Sequence, residues 1–311
     1  MESKLFVNFT GAFGSDSVVR MSIFNLCVII FLMVSCATVP PKEPKTPINE
    51  TVTKIMFLKL NINNKSCYQY LLNTKFDDQP ILAKLDTGSN ITMIPESNFF
   101  KNYPTQRTFN VQGSAKIPIK ASSININHIE LGGFTSELKE VIRNPVVSAP
   151  ATIGINALNM QPFGFDFPRK HLLLNPPLPT GNMPNLTIAK DGRLLIEIEF
   201  NGEQYSTMVD TGYCTTVVDS SVIRQHPDNF VFKKYGEVVD PTGHFKKFRF
   251  FHMKTFTFPG FRLSNVLVAE DDLSGYATSL GQPISFILGV DHMVMAKWYF
   301  DPANKKWAAS L

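Results

Sequence analysis

Short apolar runs separated by polar turns recur along the chain, and two of them end in the same three residues. The run through Ile81, Leu82, Ala83 and Leu85 leads into Asp86-Thr87-Gly88, and Met208-Val209 leads into Asp210-Thr211-Gly212. The similarity extends well beyond the triplet. FDDQPILAKLDTGSNITMI (76–94) aligns with FNGEQYSTMVDTGYCTTVV (200–218) without a gap. In each, a Phe stands ten residues before the Asp, a Thr (Thr92, Thr216) six after it, and Ile94 or Val218 eight after it. Each Phe is followed by a turn pair, Asp77-Asp78 or Asn201-Gly202, and Asn-Gly is a strong hairpin signal. Further on, ATIGINAL (151–158) matches FILGVDHM (286–293). Gly154 and Gly289 each precede an Asp by twelve residues (Asp166, Asp301), and a Lys (Lys170, Lys305) follows four later. Between these blocks, INHIELGGFTSELKEVIRN and MKTFTFPGFRLSNVLVAED each read as strand, Gly turn, strand.

The body of the chain is therefore a duplicated unit. The copies span 51–175 and 186–311, joined by the linker PPLPTGNMPN at 176–185. Each is expected to be mostly short strands with one short helix after the second glycine, near 156–160 and 291–296. Hairpin-linked strands with few helical stretches predict a mainly all-β fold of two lobes, each a closed or sandwiched β unit. The abundant Phe (26 residues) and β-branched runs agree.

The N-terminus follows another pattern. Ile23–Val34 is apolar except for Asn25, too short for a membrane span and the right length for a signal-peptide core. It ends in LMVSCAT (32–38). Ser35 before Cys36 resembles a bacterial lipobox, in which the cysteine is lipidated and becomes the mature first residue. That resemblance makes 1–35 a signal segment, Cys36 the lipidation site and 36–50, with VPPKEPKTP, a tether. Ala37 implies an outer-membrane lipoprotein of the bacterial cell envelope, facing the periplasm or the exterior. A plain secretory signal with an incidental cysteine is the alternative. Met21 is a possible start; beginning there leaves no basic segment ahead of the apolar run, whereas the longer form keeps Arg20.

Composition narrows the chemistry. The chain has 311 residues, 44% of them hydrophobic and 18% charged, with a net charge of +4, a balance that gives no reason to expect a nucleic-acid partner. The basic cluster Lys246, Lys247 and Arg249 reads as a solvated strand face. Six scattered histidines, with no HExxH or CxxC, give no reason to expect a metal or cofactor. Of four cysteines, Cys67 and Cys214 lie in the body; they are expected to be two buried free thiols, with pairing as the alternative.

An Asp at the end of an apolar strand is costly unless it is satisfied or used. Gly88 and Gly212 permit a tight loop, and the hydroxyls of Thr87 and Thr211 can bond to backbone. Two such loops meeting across a pseudo-twofold axis would bring Asp86 and Asp210 together to share one proton, as two close carboxylates do. LDTGSN and VDTGYC, each with its downstream apolar-apolar-Gly block, resemble the retropepsin-like and pepsin-like aspartic proteases over nearly all the chain from about residue 51. The resemblance implies catalytic Asp86 and Asp210, mutual bonding of Thr87 and Thr211, and ψ-shaped packing of each acid loop on the strand ending at Gly154 or Gly289. It also implies flaps, for which the segments around Gly113 and Gly243 are the candidates. Ser89 is expected to donate to Asp86 and favour its ionised form, leaving Asp210 as the acid; Tyr213 is too large for the same role. The function expected is an aspartic endopeptidase acting on peptide or protein substrate, lipid-anchored to a membrane. Two fused copies imply a monomer, and nothing between Cys36 and Thr51 reads as a long pro-segment. A catalytically silent peptide-binding module on the same fold, or two purely structural DTG turns, are the alternatives.

Overall fold

The computed structural model describes residues 51–311 apart from 63–64, 98, 113–116, 139, 146–150, 159 and 240–244. The signal segment, Cys36, the tether and the two flap tips at Gly113 and Gly243 lie outside the described residues.

The fold is all-β with a few short helices, as the turn spacing predicts. Each half contributes its own sheet, and a third sheet is shared. The halves repeat one arrangement around the Asp-Thr-Gly loop. In the first half, Gln79–Asp86 enters the loop and Met93–Pro95 leaves it. Ala151–Gly154 slides between them, parallel to the first with Gly154 opposite Asp86, and antiparallel to the second with Thr152 opposite Met93. In the second half, Phe286–Leu288 lies between Glu203–Val209 and Val217–Asp219, with Leu288 opposite Val209 and Ile287 opposite Val217. This is the ψ shape the resemblance implies. The inserted strands are buried along their whole length, which is why ATIG and FIL read as unbroken small or apolar runs rather than as an alternation.

The expected hairpins form. Phe76 pairs with Gln79 around Asp77-Asp78, and Phe200 with Glu203 around Asn201-Gly202. Asn201 and Gly202 both have positive φ (53° and 82°), the geometry of a tight two-residue hairpin turn. Both flap candidates sit at the ends of paired strands: Thr105–Gln112 with Pro118–Asn125, and Phe230–Val239 with Phe245–Phe258.

The shared sheet runs in the order Thr51–Lys54, His171–Leu174, Phe163–Asp166, Lys297–Asp301, Lys306–Ser310. At its centre the two halves pair directly, Phe163 opposite Phe300 and Phe165 opposite Trp298. The Phe163 and Phe300 rings stack 5.2 Å apart, and Trp298 lies on Trp307 at 6.0 Å. One contiguous core includes side chains from both halves. A second, smaller core belongs to the C-terminal half and contains Met208, Val217 and Ile287. Lys170 and Lys305, the repeated lysines, both occupy left-handed turn positions before the last strand of their unit.

The helices differ from expectation. The segments expected at 156–160 and 291–296 are a 3-10 turn at Ile155–Leu158 and an α-helix at Val290–Met293, each beginning directly after its glycine. Nor does each half carry only one. The C-terminal half adds Ser220–Gln225, whose N-cap Asp219 accepts from Ser221 N, and Ala277–Leu280, closed by Gly281 in the left-handed region. No helix among the described residues is long and apolar enough to cross a membrane.

Candidate active site

The two loops meet at the join between the halves, and the contact is reciprocal. Thr87 N donates to Thr211 Oγ1 (3.0 Å) and Thr211 N to Thr87 Oγ1 (3.1 Å). The hydroxyls donate onward, Thr87 Oγ1 to Val209 O (2.8 Å) and Thr211 Oγ1 to Leu85 O (2.9 Å). All four bonds are buried and all cross between halves, so each threonine is fixed by the strand that carries the other acid. A buried polar group left unpaired costs about 1–3 kcal/mol, which is why this set is self-enforcing.

Behind each loop, the glycine and threonine of the repeat lock it to the inserted strand. Gly154 N donates to Thr92 Oγ1 and Gly289 N to Thr216 Oγ1, both at 3.1 Å. Thr92 donates on to Asn156 Oδ1 (2.9 Å), and Thr216 Oγ1 lies 3.0 Å from Asp291 Oδ1. A Cβ at Gly154 would stand 2.5 Å from Ile91 O, and one at Gly289 would stand 2.7 Å from the Thr215 carbonyl carbon. Only glycine lets the inserted strand approach the loop this closely.

Asp86 and Asp210 come together as the repeat predicts. Both are buried, 7% and 4% exposed, and lie close enough that the charge of Asp86 acts on Asp210. Each presses on the glycine of the opposite loop: a Cβ at Gly88 would fall 1.9 Å from Asp210 Oδ2, and one at Gly212 would fall 2.2 Å from Asp86 Oδ2. Asp210 Oδ1 accepts from Gly212 N (2.7 Å) and Tyr213 N (3.1 Å). Burial first, and then the neighbouring Asp86 charge, push the Asp210 carboxyl up to about 8, with Lys84 and the Gly212 N–H opposing them. Asp210 therefore keeps its proton at neutral pH.

Ser89 does not do what the sequence suggests. Its hydroxyl donates to Ile91 O (2.7 Å), closing the loop on itself, and its backbone N donates to Asp86 O rather than to the carboxylate. A hydroxyl three residues after the Asp finds a nearer backbone acceptor. The group beside Asp86 is instead Lys84, whose Nζ lies 3.1 Å from Asp86 Oδ2 and 3.4 Å from Gly212 O. Lys84 could have been found: side chains alternate along a strand, so residues two apart share a face, and Lys84 stands two before Asp86.

Other neighbours lie outside the motifs. Tyr70 is wholly buried, and its hydroxyl is pushed well above the usual range by burial first and then by Asp210, Asp291 and Asp86. Arg193 Nη1 reaches Gly88 O (3.5 Å), while Nε is held by Asp191 (3.0 Å) and Tyr276 lies beneath the guanidinium at 5.4 Å. Burial lifts the Tyr276 hydroxyl to about 12. Cys214 is disulfide-bonded, against the expectation of a free thiol; the Cys67 side chain lies outside the described residues. A pocket of about 160 Å³ opens beside Asn90 between the halves, with Ile155, Leu158 and Met160 on one wall and Asp191 and Gly192 on the other.

No protein-family model and no curated protein matches this chain.

Proposed function

We propose that the protein is an aspartic endopeptidase. The observation that carries this reading is the buried pair Asp86–Asp210, each carboxylate lying against the glycine of the other's loop and held between cross-bonded threonines where the two halves join. One ionised and one protonated carboxyl suit a single task. The carboxylate takes a proton from water as the water oxygen attacks a peptide carbonyl carbon, and the carboxylic acid donates to the carbonyl oxygen. The tetrahedral diol then collapses, the C–N bond breaks, and the leaving nitrogen receives a proton from the pair. Each acid–base role is worth about 10²–10⁴-fold in rate. The substrate is an extended peptide, bound through strand-like backbone pairing.

The membrane part of the proposal rests on the sequence alone: the LMVSCAT segment makes the protein a lipoprotein of the bacterial envelope, tethered through Cys36. Globomycin-sensitive processing and labelling by a clickable fatty acid, both lost in Cys36→Ser, would test it.

The activity is tested with a mixed peptide pool across pH, using the native chain beside Asp86→Asn and Asp210→Asn. Cleavage by the native chain that either substitution abolishes is the expected result. Binding of peptides without cleavage would overturn it in favour of a binding module.

A further inference from the structure

Among the described residues two cations border the acid pair, and each crosses to the glycine carbonyl of the opposite loop. Lys84, from the first half, meets Gly212 O at 3.4 Å; Arg193, from the second, meets Gly88 O at 3.5 Å. Their charges are used differently. Arg193 is neutralised by Asp191, donates to Ser279 Oγ (2.7 Å) and stacks on Tyr276. Lys84, with a side chain 7% exposed, has Asp86 as its acid partner. The residue matching Lys84 in the second half is Met208, two before Asp210, and its thioether lies 3.6 Å from Arg193 Nη1.

We propose that Lys84 is a positioning residue: its ammonium makes Asp86 the carboxylate of the pair, leaves the proton on Asp210, and sets hydrolysis at lower pH than the pair alone would allow. This rests on the reading of the pair as a hydrolytic dyad.

A cation within about 4–6 Å typically lowers a carboxyl pKa by 1–3 units, most for the nearest group. Two buried acids without it would both be driven toward their neutral forms, and the backbone N–H donors, which serve Asp210, would favour ionising that acid instead. The remaining groups facing the site do not replace Lys84. Tyr70, on the adjacent strand Lys65–Phe76, and Tyr276, from the second half, stay neutral because burial lifts both hydroxyls. Tyr213 contributes its backbone N–H to Asp210. Asp291 is bonded to Thr216, and Asp191 to Arg193. Among the described residues, Lys84 is the charge that distinguishes one aspartate from the other.

The test is a carboxyl-carbon NMR titration of the full chain labelled at Asp, assigned with Asp86→Asn and Asp210→Asn, alongside the pH profile of kcat/KM. In the native chain Asp86 should ionise first. Lys84→Met should move the lower transition and the acidic limb up by about one pH unit or more, and Lys84→Arg should restore most of the shift. Asp191→Asn should release the Arg193 charge and move both transitions down. A native chain in which Asp210 ionises first, or a folded Lys84→Met with unmoved transitions, overturns the proposal. If Lys84→Met fails to fold, the order of ionisation in the native chain and the direction of the Asp191→Asn shift decide it. The titration judges Lys84 whether or not peptides are cut; absence of cleavage with the expected transitions overturns the peptidase reading alone.

Discussion

The strand entering the N-terminal acid loop carries a lysine two residues before its Asp, and the strand entering the C-terminal loop carries a methionine there, its thioether against an arginine already paired with its own acid. The backbone is the same in both. Each loop is crossed by the other's threonine, backed by a glycine-ended strand and pinned by a Thr to a residue two beyond that glycine. What is duplicated is thus the hydrogen-bonding frame; what has diverged is the charge around it. The frame needs symmetry because it holds two equal acids at contact distance. The proposed chemistry needs asymmetry because one acid would give a proton and the other take one.

Substitutions made in matching pairs separate frame from charge. Asp86→Asn and Asp210→Asn should each cut kcat/KM by about 10²–10⁴-fold or more, since each removes a different half of the proton traffic. Activity above a tenth of native in either would break the shared-proton picture. Gly88→Ala and Gly212→Ala should fall almost as far, about 10²-fold, because the new methyl must displace the opposite carboxylate and small misplacements are costly. Equal losses would sharpen the symmetry of the frame, while a large inequality would place the substrate water nearer one acid. Thr87→Val and Thr211→Val each remove one donor and one acceptor and leave two buried backbone groups unpaired, at about 2–4 kcal/mol of stability in denaturant unfolding.

Stability against pH should differ between the acids as well. Asp210 has a folded pKa near 8, above its unfolded value of about 3.9. Between those values the native state binds more protons than the unfolded chain, so stability should fall as pH rises from about 4 to 8. Asp210→Asn should flatten that slope and be the more stable protein at pH 8, by at least about 1 kcal/mol, in thermal or denaturant melts. The smallest effect is expected at Asp291→Asn, which gives the C-terminal half the residue the N-terminal half already uses at Asn156; an amide oxygen can still accept from Thr216, and the change should stay below about 1 kcal/mol.

The frame was legible in the sequence because it is made of residue types that only backbone geometry demands, at spacings preserved in both copies. Two glycines where no Cβ fits, two threonines facing their partners' strands and two buried runs ending at Asp leave little freedom. The charge was less legible. Lys84 sits within the motif's own strand, where alternation alone puts it on the face of Asp86, whereas the hydroxyl of Ser89 drew attention and bonds elsewhere. Arg193, Tyr70 and Tyr276 come from a turn, a strand and a 3-10 helix outside the repeated blocks, and only tertiary packing brings them to the loops. The extra helices of the second half depend on local caps, Asp219 and Gly281, that have no counterpart in the alignment of the two copies.

The five-stranded sheet begins, at one margin, with Thr51–Lys54 laid antiparallel on His171–Leu174, and its middle is the seam between the halves. Any pull on the chain ahead of Thr51 is therefore borne first by a four-residue margin that can peel away rung by rung, starting from the Thr51–Leu174 end. The seam lies two strands further in, shielded from that load. A pull from that side would unzip an outer strip before it could part the two halves.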